Sequence, residues 1–476
     1  MIRTRIAPSP TGDDIHIGNL YTALINWAWA KKHNGRFVVR IEDTDRTRYV
    51  EGAEQKILES LASYGLKNDE GPDVGGPYAP YRQSERLELY KRHALELVEK
   101  GKAYFSFATK SELDDLKKRA DTKLIYRQLL RDESRAAFTI EDANTRIAAM
   151  GEGAEYTIRL LVPANVNITF HDLIRGDITI STDQIDDQVL LKSDGFPTYH
   201  LAVVVDDVAM RISHVIRAEE WIASTPKHVM LYDAFGWEKP VFCHVPILRN
   251  PDKSKLSKRK NPVWAGWYLE NGYLPEAMLN YLSLMGWSHP DQIEVFDLAE
   301  FVKQFELNDL SAVGPVFDPK KLEWMNGMWI RKIRPDDLAQ RLVKFYKGRY
   351  DIEFVRKTVP LVQERMRTLM EYAPYVEFFF TAPTSIPTEF ELDIAGFADI
   401  LQKVAVRLEA IPEDMWKAEK IGEEMQALCA DLEMKPGKFF QMLRVVITGK
   451  KVSPPLNESM ELLGKKECVQ RVSRRK

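Results

Sequence analysis

Residues 3–19 read RTRIAPSPTGDDIHIGN, and residues 36–46 read RFVVRIEDTDR. The first stretch opens on a short, edge-like strand, Arg3–Ala7, ended by Pro8 and Pro10, neither of which can extend a ladder or a helix interior. Leu20, Ala23, Leu24, Trp27 and Ala30 then recur at helical spacing, and Asn34-Gly35 supplies a stop. Phe37–Ile41 is a compact apolar strand. Strand, helix and strand make a βαβ unit, the building block of a doubly wound parallel sheet. An amphipathic helix follows, with Ile57, Leu58 and Leu61 on one face and Gly65 at its end.

A chain of 476 residues exceeds what one hydrophobic core organises, so two or more domains are expected. Its 45% hydrophobic and 29% charged residues are an ordinary globular composition. The longest unbroken apolar run, Leu201 to Val205, is far too short for a membrane span. Residues 1–10 carry no apolar stretch of the secretory type. Cys243, Cys429 and Cys468 are too scattered for a disulfide framework or a zinc cluster. A cytoplasmic protein without membrane contact or structural metal is therefore expected. The net charge of −3 argues against a nonspecific nucleic-acid coat, yet its distribution is polar. Lys435–Lys476 holds 11 Lys and Arg against 3 Glu, whereas Glu413–Glu433 holds 7 acidic against 2 basic residues. Such a chain can offer one basic face to a polyanion.

Further along, 110–150 reads as surface helices, and 156–192 carries strand-like runs (YTIRLLV, VNITF, DITI), together an α+β insertion. The α/β pattern then resumes. Leu201–Val205 reads as a buried strand closed by Asp206 and Asp207, Thr225-Pro226 as a helix start, and Phe242–Leu248 as the next strand. Beyond residue 265 the chain reads as helical, broken by prolines at 360, 374, 383, 387, 412 and 436.

Open α/β sheets bind ligands at the carboxyl ends of their strands. Four unusual polar segments are predicted there. Pro8–Gly12 leads into His16-Ile17-Gly18-Asn19 at a helix start, where glycine admits a ligand and the helix end favours negative charge. Glu42-Asp43-Thr44-Asp45 alone reads as a turn or a divalent-metal site. Arg217-Ala218-Glu219-Glu220 and Lys253–Lys260 complete the set. Taken singly, a histidine beside a helix start is commonly a cap, and a lysine-rich loop is commonly just solvated. Their convergence on one split sheet favours a phosphate-bearing ligand.

At these residues the sequence resembles the class I aminoacyl-tRNA synthetases, specifically the bacterial-type glutamyl-tRNA synthetases. RIAPSPTG (5–12) with HIGN (16–19) is similar to the family's first signature, HIGH, and KLSKR (255–259) to its second, KMSKS. RIEDTDR (40–46), YRQSER (81–86), FPTYHLAVVVDD (196–207), VIRAEEW (215–221), FDPKKLEWMNG (317–327) and PGKFFQMLRVVITG (436–449) follow in the family's order, so the resemblance covers essentially the whole chain. Three residues separate Gly12 from His16 where most relatives have two, Asn19 replaces a histidine, and Leu256 and Arg259 replace methionine and serine.

The resemblance implies a split Rossmann-type catalytic domain (1–100 and 196–262), an acceptor-end-binding insertion (101–195), a helical stem-contact domain (263–330) and an all-α anticodon-binding region (331–476). It implies ATP with substrate-borne magnesium, L-glutamate and tRNA(Glu) as partners, no zinc, and a monomer. His16, Lys255, Ser257 and Lys258 would act on the phosphates. Pro10, Gly18, Asn19, Glu220 and Leu248, with Lys258, would bind ATP. Arg5, Ala7, Ser9, Glu42, Tyr199 and Arg217 would bind glutamate, the arginines taking its carboxylates and Glu42 its ammonium. The bland alternative has Arg5 simply paired with Glu42. Arg365 and Arg367 would read the anticodon. Among rivals, glutaminyl-tRNA synthetase carries a β-barrel C-terminus, the glutamyl-queuosine paralogue lacks the anticodon region, and a noncatalytic RNA-binding relative would not need His16, Lys255 and Lys258.

Overall fold

The structure is a computed structural model describing residues 1–256, 262–383 and 396–473. The chain divides into two compact units, Met1–Leu269 with Pro275–Pro319, and Glu270–Leu274 with Lys320–Lys476.

In the first unit the opening elements are β1 (Arg3–Ile6), α1 (Ile17–Lys32), β2 (Arg36–Val39), α2 (Ala53–Ser63) and α3 (Leu87–Glu99). β1 and β2 run parallel, with Arg3 beside Arg36 and Ile6 beside Val39. The stop after α1 works as its sequence suggests. Asn34 takes φ +50°, and a Cβ on Gly35 would lie 2.2 Å from the Ile2 carbonyl oxygen, so only glycine lets the chain turn back there. β1 is paired in its sheet with β2 alone, as an edge-like strand would be, yet it is not open to solvent. Its residues are all buried, and on the side away from β2 the Arg3 carbonyl accepts the Ser213 N–H at 3.0 Å.

The next stretch holds β3 (Ala103–Ser106), three helices α4 (Lys110–Arg119), α5 (Lys123–Glu133) and α6 (Ile140–Met150), then β4 (Thr157–Leu160), β5 (Asn167–Asp172), β6 (Gly176–Ser181) and β7 (Val189–Leu191). β3, β4 and β7 form an antiparallel sheet. After it come α7 (Tyr199–Ala209), β8 (His214–Ala218), α8 (Thr225–Phe235) and β9 (Val241–Val245). β8 and β9 are parallel, and the β5–β6 hairpin joins β9 through Asp172 beside Phe242. The class of fold is the one expected, α/β with mixed parallel sheets followed by helices.

α7 overturns one expectation: Leu201–Val205 is helical, not a strand. Val203–Val205 carry the β-branched signal, but propensity yields to the bonds at the helix end. Successive residues of a helix point about 100° apart, so its last turn sends Asp206 and Asp207 to different neighbours. Asp206 accepts Arg86 Nε (2.8 Å), Gln83 Nε2 (3.0 Å) and the Tyr90 hydroxyl (2.8 Å) from the α3 side. Asp207 accepts Arg5 Nε (3.1 Å) and Nη2 (3.2 Å) from β1, and Arg40 Nη1 (2.8 Å) just beyond β2.

The second unit is helical throughout its described residues, which begin, after 270–274, within helix Pro319–Lys332 and end with Lys465–Ser473. Leu401, Val404, Leu408, Ile421, Met425, Phe439, Leu443 and Met460 make the core of its last five helices. Pro436 opens helix Pro436–Thr448, and Pro412 follows the helix ending at Ala410. Pro360 and Pro374, expected as breaks, lie inside helices Ile352–Val362 and Tyr372–Val376. Pro360 is in the last turn, where it forfeits one hydrogen bond, and Pro374 in the first, where its missing N–H has no partner to lose. Pro387 lies outside the described residues.

Replacing Asp207 by Asn leaves two buried guanidinium groups sharing a neutral amide. Urea unfolding should show a loss of about 3–5 kcal/mol; a loss under about 1 kcal/mol would mean Arg5 and Arg40 do not depend on this carboxylate.

Candidate active site

A cavity of about 810 Å³ opens at the carboxyl ends of β1, β2 and β8. Of the residues singled out in the sequence, Arg5, Ala7, Ser9, Asn19, Glu42, Tyr199, Arg217 and Glu220 line it. Pro10, His16, Gly18, Leu248 and Lys255 are not part of that lining, and Ser257 and Lys258 lie outside the described residues. The carbonyl of Pro10 accepts the Val50 N–H (2.9 Å) and that of Leu248 the Leu256 N–H (3.2 Å). Within the acidic run after β2, Asp43 is taken by the backbone N–H and hydroxyl of Ser84, and Asp45 by Thr47 and Arg48. Among the described residues no group of three or more His, Cys, Asp or Glu side chains is placed to hold a metal ion. Nor is any described helix long and apolar enough to cross a membrane.

One wall is a buried charge cluster. Arg5 pairs with Asp207, not with Glu42, so the bland alternative is corrected; Glu42 accepts Arg40 Nη2 at 3.3 Å. Burial pushes the Glu42 carboxyl up to about 7, against the pull of Arg40 and Arg5 and with the help of Asp207. Burial would also raise Asp207, but Arg5 and Arg40 hold it below the usual carboxylate range. Glu42 therefore sits near its ionisation point at neutral pH while Asp207 stays charged.

A second charged group lining the cavity is Arg217, inside β8 and 5% exposed. Its Nε donates to His244 Nε2 (3.2 Å), Nη1 to the Tyr199 hydroxyl (3.1 Å) and to His228 Nδ1 (3.1 Å), and Nη2 to the Thr225 hydroxyl (2.9 Å). No described carboxylate lies within ion-pair distance of it, unlike Arg3, Arg5, Arg40 and Arg86, which pair with Glu70, Asp207, Asp207 and Asp206. A cation kept from water without a counter-ion is a strong site for an anionic ligand group.

His16 caps α1: its Nδ1 accepts the Gly18 N–H at 3.0 Å, so the proton of the neutral ring belongs on Nε2, the orientation of a donor. The cap reading and the phosphate-binding reading thus use the two nitrogens of one ring. The loop before His16 is anchored by Asp14, which accepts the Ile15 N–H, the Ser60 hydroxyl and the Gly266 N–H, each at 2.6 Å. His16 forms a β-bridge with Trp264, and the Ile17 N–H bonds the Val263 carbonyl at 2.7 Å. A Cβ on Gly12 would come within 2.6 Å of the Trp264 ring, so glycine is needed there for close packing. On the other flank of the lysine-rich loop, Lys255 Nζ pairs with Glu220 at 2.5 Å, and Glu219 ties the Ile247 N–H (3.2 Å) and Arg249 (3.3 Å) to the end of β8. Both flanks of residues 257–261 are therefore fastened to the elements that frame the cavity.

In the second unit, Arg365 and Arg367 are exposed on the turn 363–367. The turn is held from behind: buried Asn326 donates to the Arg367 carbonyl (2.5 Å) and accepts the Leu274 N–H (2.8 Å), and Arg367 also meets Glu323 at 3.5 Å.

Sequence reasoning missed Asp207 and Arg40 as the partners of Arg5 and Glu42, and missed Thr225, His228 and His244 around Arg217. A signal existed: His228 and His244 stand in the apolar runs HVMLY and FCHV, where a buried imidazole needs a partner.

This split α/β architecture, with a cavity at the carboxyl ends of its strands and a histidine-capped helix start beside it, suits a phosphate-bearing ligand. The family model for the catalytic domain of class I tRNA synthetases (E and Q) matches residues 1–324, and that for an anticodon binding domain matches 337–475. The chain is 45% identical over 468 residues to the glutamate–tRNA ligase of Marinomonas sp. (strain MWYL1), covering 97% of this chain and 93% of that one. It is 44% identical to that of Thermus thermophilus, covering 100% of this chain and 99% of that one. The crystal structure of a glutamate tRNA ligase from Elizabethkingia meningosepticum CCUG26117, in complex with its amino acid, superposes with a TM-score of 0.88 at 34% identity, covering 99% and 98%. The chain belongs to the glutamate–tRNA ligase family of class I tRNA synthetases.

Because Glu42 gains a proton below about 7, any ammonium that used it as a counter-charge would lose that counter-charge as pH falls. The KM for an amino-acid substrate should rise roughly tenfold from pH 7.5 to 6. In Glu42→Gln that dependence should vanish; its persistence would assign the titration to another group.

Proposed function

We propose that this protein joins L-glutamate to the 3′-terminal adenosine of tRNA(Glu) at the expense of ATP. The observation that carries this reading is the cavity itself, where an unneutralised arginine, a titratable glutamate and the start of α1 face one space. In the first step the α-carboxylate of glutamate attacks the α-phosphorus of ATP in line. The bond to the β-phosphate oxygen breaks, and glutamyl-adenylate and pyrophosphate result. In the second, the 2′-hydroxyl of the terminal adenosine attacks the activated carbonyl, loses its proton and expels AMP.

Neither step needs a covalent enzyme nucleophile; positioning and charge stabilisation supply the rate. Arg217 and Arg5 face the carboxylates, Glu42 the ammonium, and Ala7, Ser9 and Tyr199 complete the amino-acid site. Pro10, Gly18, Asn19, Glu220 and Leu248 hold the nucleotide. His16 donates from Nε2 to the phosphoryl oxygens, with Lys255, Ser257 and Lys258 closing from the other side. Magnesium arrives on the ATP phosphates as part of the substrate. Residues 101–195 take the acceptor end, 263–330 the stem and 331–476, through Arg365 and Arg367, the anticodon. The basic stretch from Lys435 makes tRNA binding salt-sensitive. The reading places a monomer in the cytoplasm and leaves tRNA(Gln) as a second acceptor if the enzyme is nondiscriminating.

Purified protein should exchange pyrophosphate into ATP in the presence of glutamate only when tRNA is added. No exchange with glutamate, ATP and tRNA(Glu) together would remove this reading, and charging of purified tRNA(Glu) against tRNA(Gln) decides the acceptor range.

A further inference from the structure

The partners of Arg217 are chemically uniform: two imidazoles, a phenol and a threonine hydroxyl, each accepting and none charged. Second neighbours fix the tautomers that make this possible. His244 Nδ1 lies 2.7 Å from Asp172 Oδ2, which also accepts the His244 N–H, so the proton sits on Nδ1 and the Nε2 lone pair faces Arg217. His228 uses Nδ1 as acceptor and so presents Nε2–H to His200 Nδ1 at 3.1 Å. Burial, then the field of Arg217 itself, keeps His228 well below its ordinary range; burial and nearby cations hold His200 near 3, and burial lowers His244 against the pull of Asp172. All three stay uncharged at neutral pH. The one negative charge in this shell, Asp172, is kept behind His244, and its oxygens are spent on that ring and on the Ile174, Arg175 and His244 amides.

We infer that His228, His244 and Thr225 are positioning residues for substrate choice: with Tyr199 they take four of the five N–H donors of Arg217 while withholding a counter-charge, so that only a side-chain carboxylate, not its carboxamide, neutralises it. This rests on the glutamate reading above. A frame that offered a carboxylate would hold the guanidinium equally well, but would leave the ligand's charge facing a partner already neutralised.

The test separates charge from shape at one position. His228→Asn keeps an oxygen where Nδ1 stands, and His228→Asp is its charged isostere. With ATP–pyrophosphate exchange on tRNA-loaded enzyme, and calorimetric titration of L-glutamate, the Asp variant should need about thirtyfold more glutamate than the Asn variant. The two should share one KM for ATP, and the Asp variant should have the poorer preference for glutamate over glutamine. Equal glutamate constants, within about threefold, for the folded pair would overturn the inference. If either variant fails to fold, as judged by thermal unfolding, the pair His244→Gln and His244→Glu asks the same question at the other imidazole, read in the same way. Wild-type enzyme that binds glutamate yet exchanges nothing would count against the proposed activity alone.

Discussion

The carboxylate of Asp207 is shared by two buried guanidinium groups, one from β1 and one from just beyond β2, and the amino-acid end of the cavity is arranged around that sharing. It locks the end of α7 to the first two strands. It also fixes the guanidinium of Arg5, and it places a negative charge near Glu42, which stays close to its ionisation point. Arg217, lining the same cavity from within β8, has neutral partners only. A zwitterion with an extra carboxylate meets an acidic wall and a cationic pole, each suited to one of its ends.

The nucleotide side obeys a different constraint. A helix start carries unsatisfied N–H groups and attracts phosphate, but only if its approach is kept clear and its orientation fixed. Here His16 satisfies one of those groups through Nδ1, and Asp14 and the Trp264 bridge pin the loop that delivers it. These anchors hold the loop 12–16 with the cap in place.

Much of this was legible in the sequence. The βαβ opening, the stop at Asn34-Gly35 and the helical last third follow from periodicity and turn chemistry. Glu42 and Arg217 were marked by their places at the ends of predicted strands, and Arg5 by the family resemblance. What escaped were partnerships of long range. Val203–Val205 give a strand signal that no local residue contradicts, and only bonds from Arg5, Arg40, Gln83 and Arg86 show why the segment closes as a helix. The neutrality of the shell around Arg217 is likewise a property of burial and of tautomers fixed by Asp172, neither of which has a sequence period.

The most direct test is a crystal structure with a nonhydrolysable glutamyl-adenylate analogue. The expected result has the side-chain carboxylate within ion-pair distance of the Arg217 guanidinium, the ammonium beside Glu42, and the phosphate-like group against the start of α1 at His16. An analogue seated outside this cavity, or inside it with its carboxylate turned away from Arg217, would contradict the account.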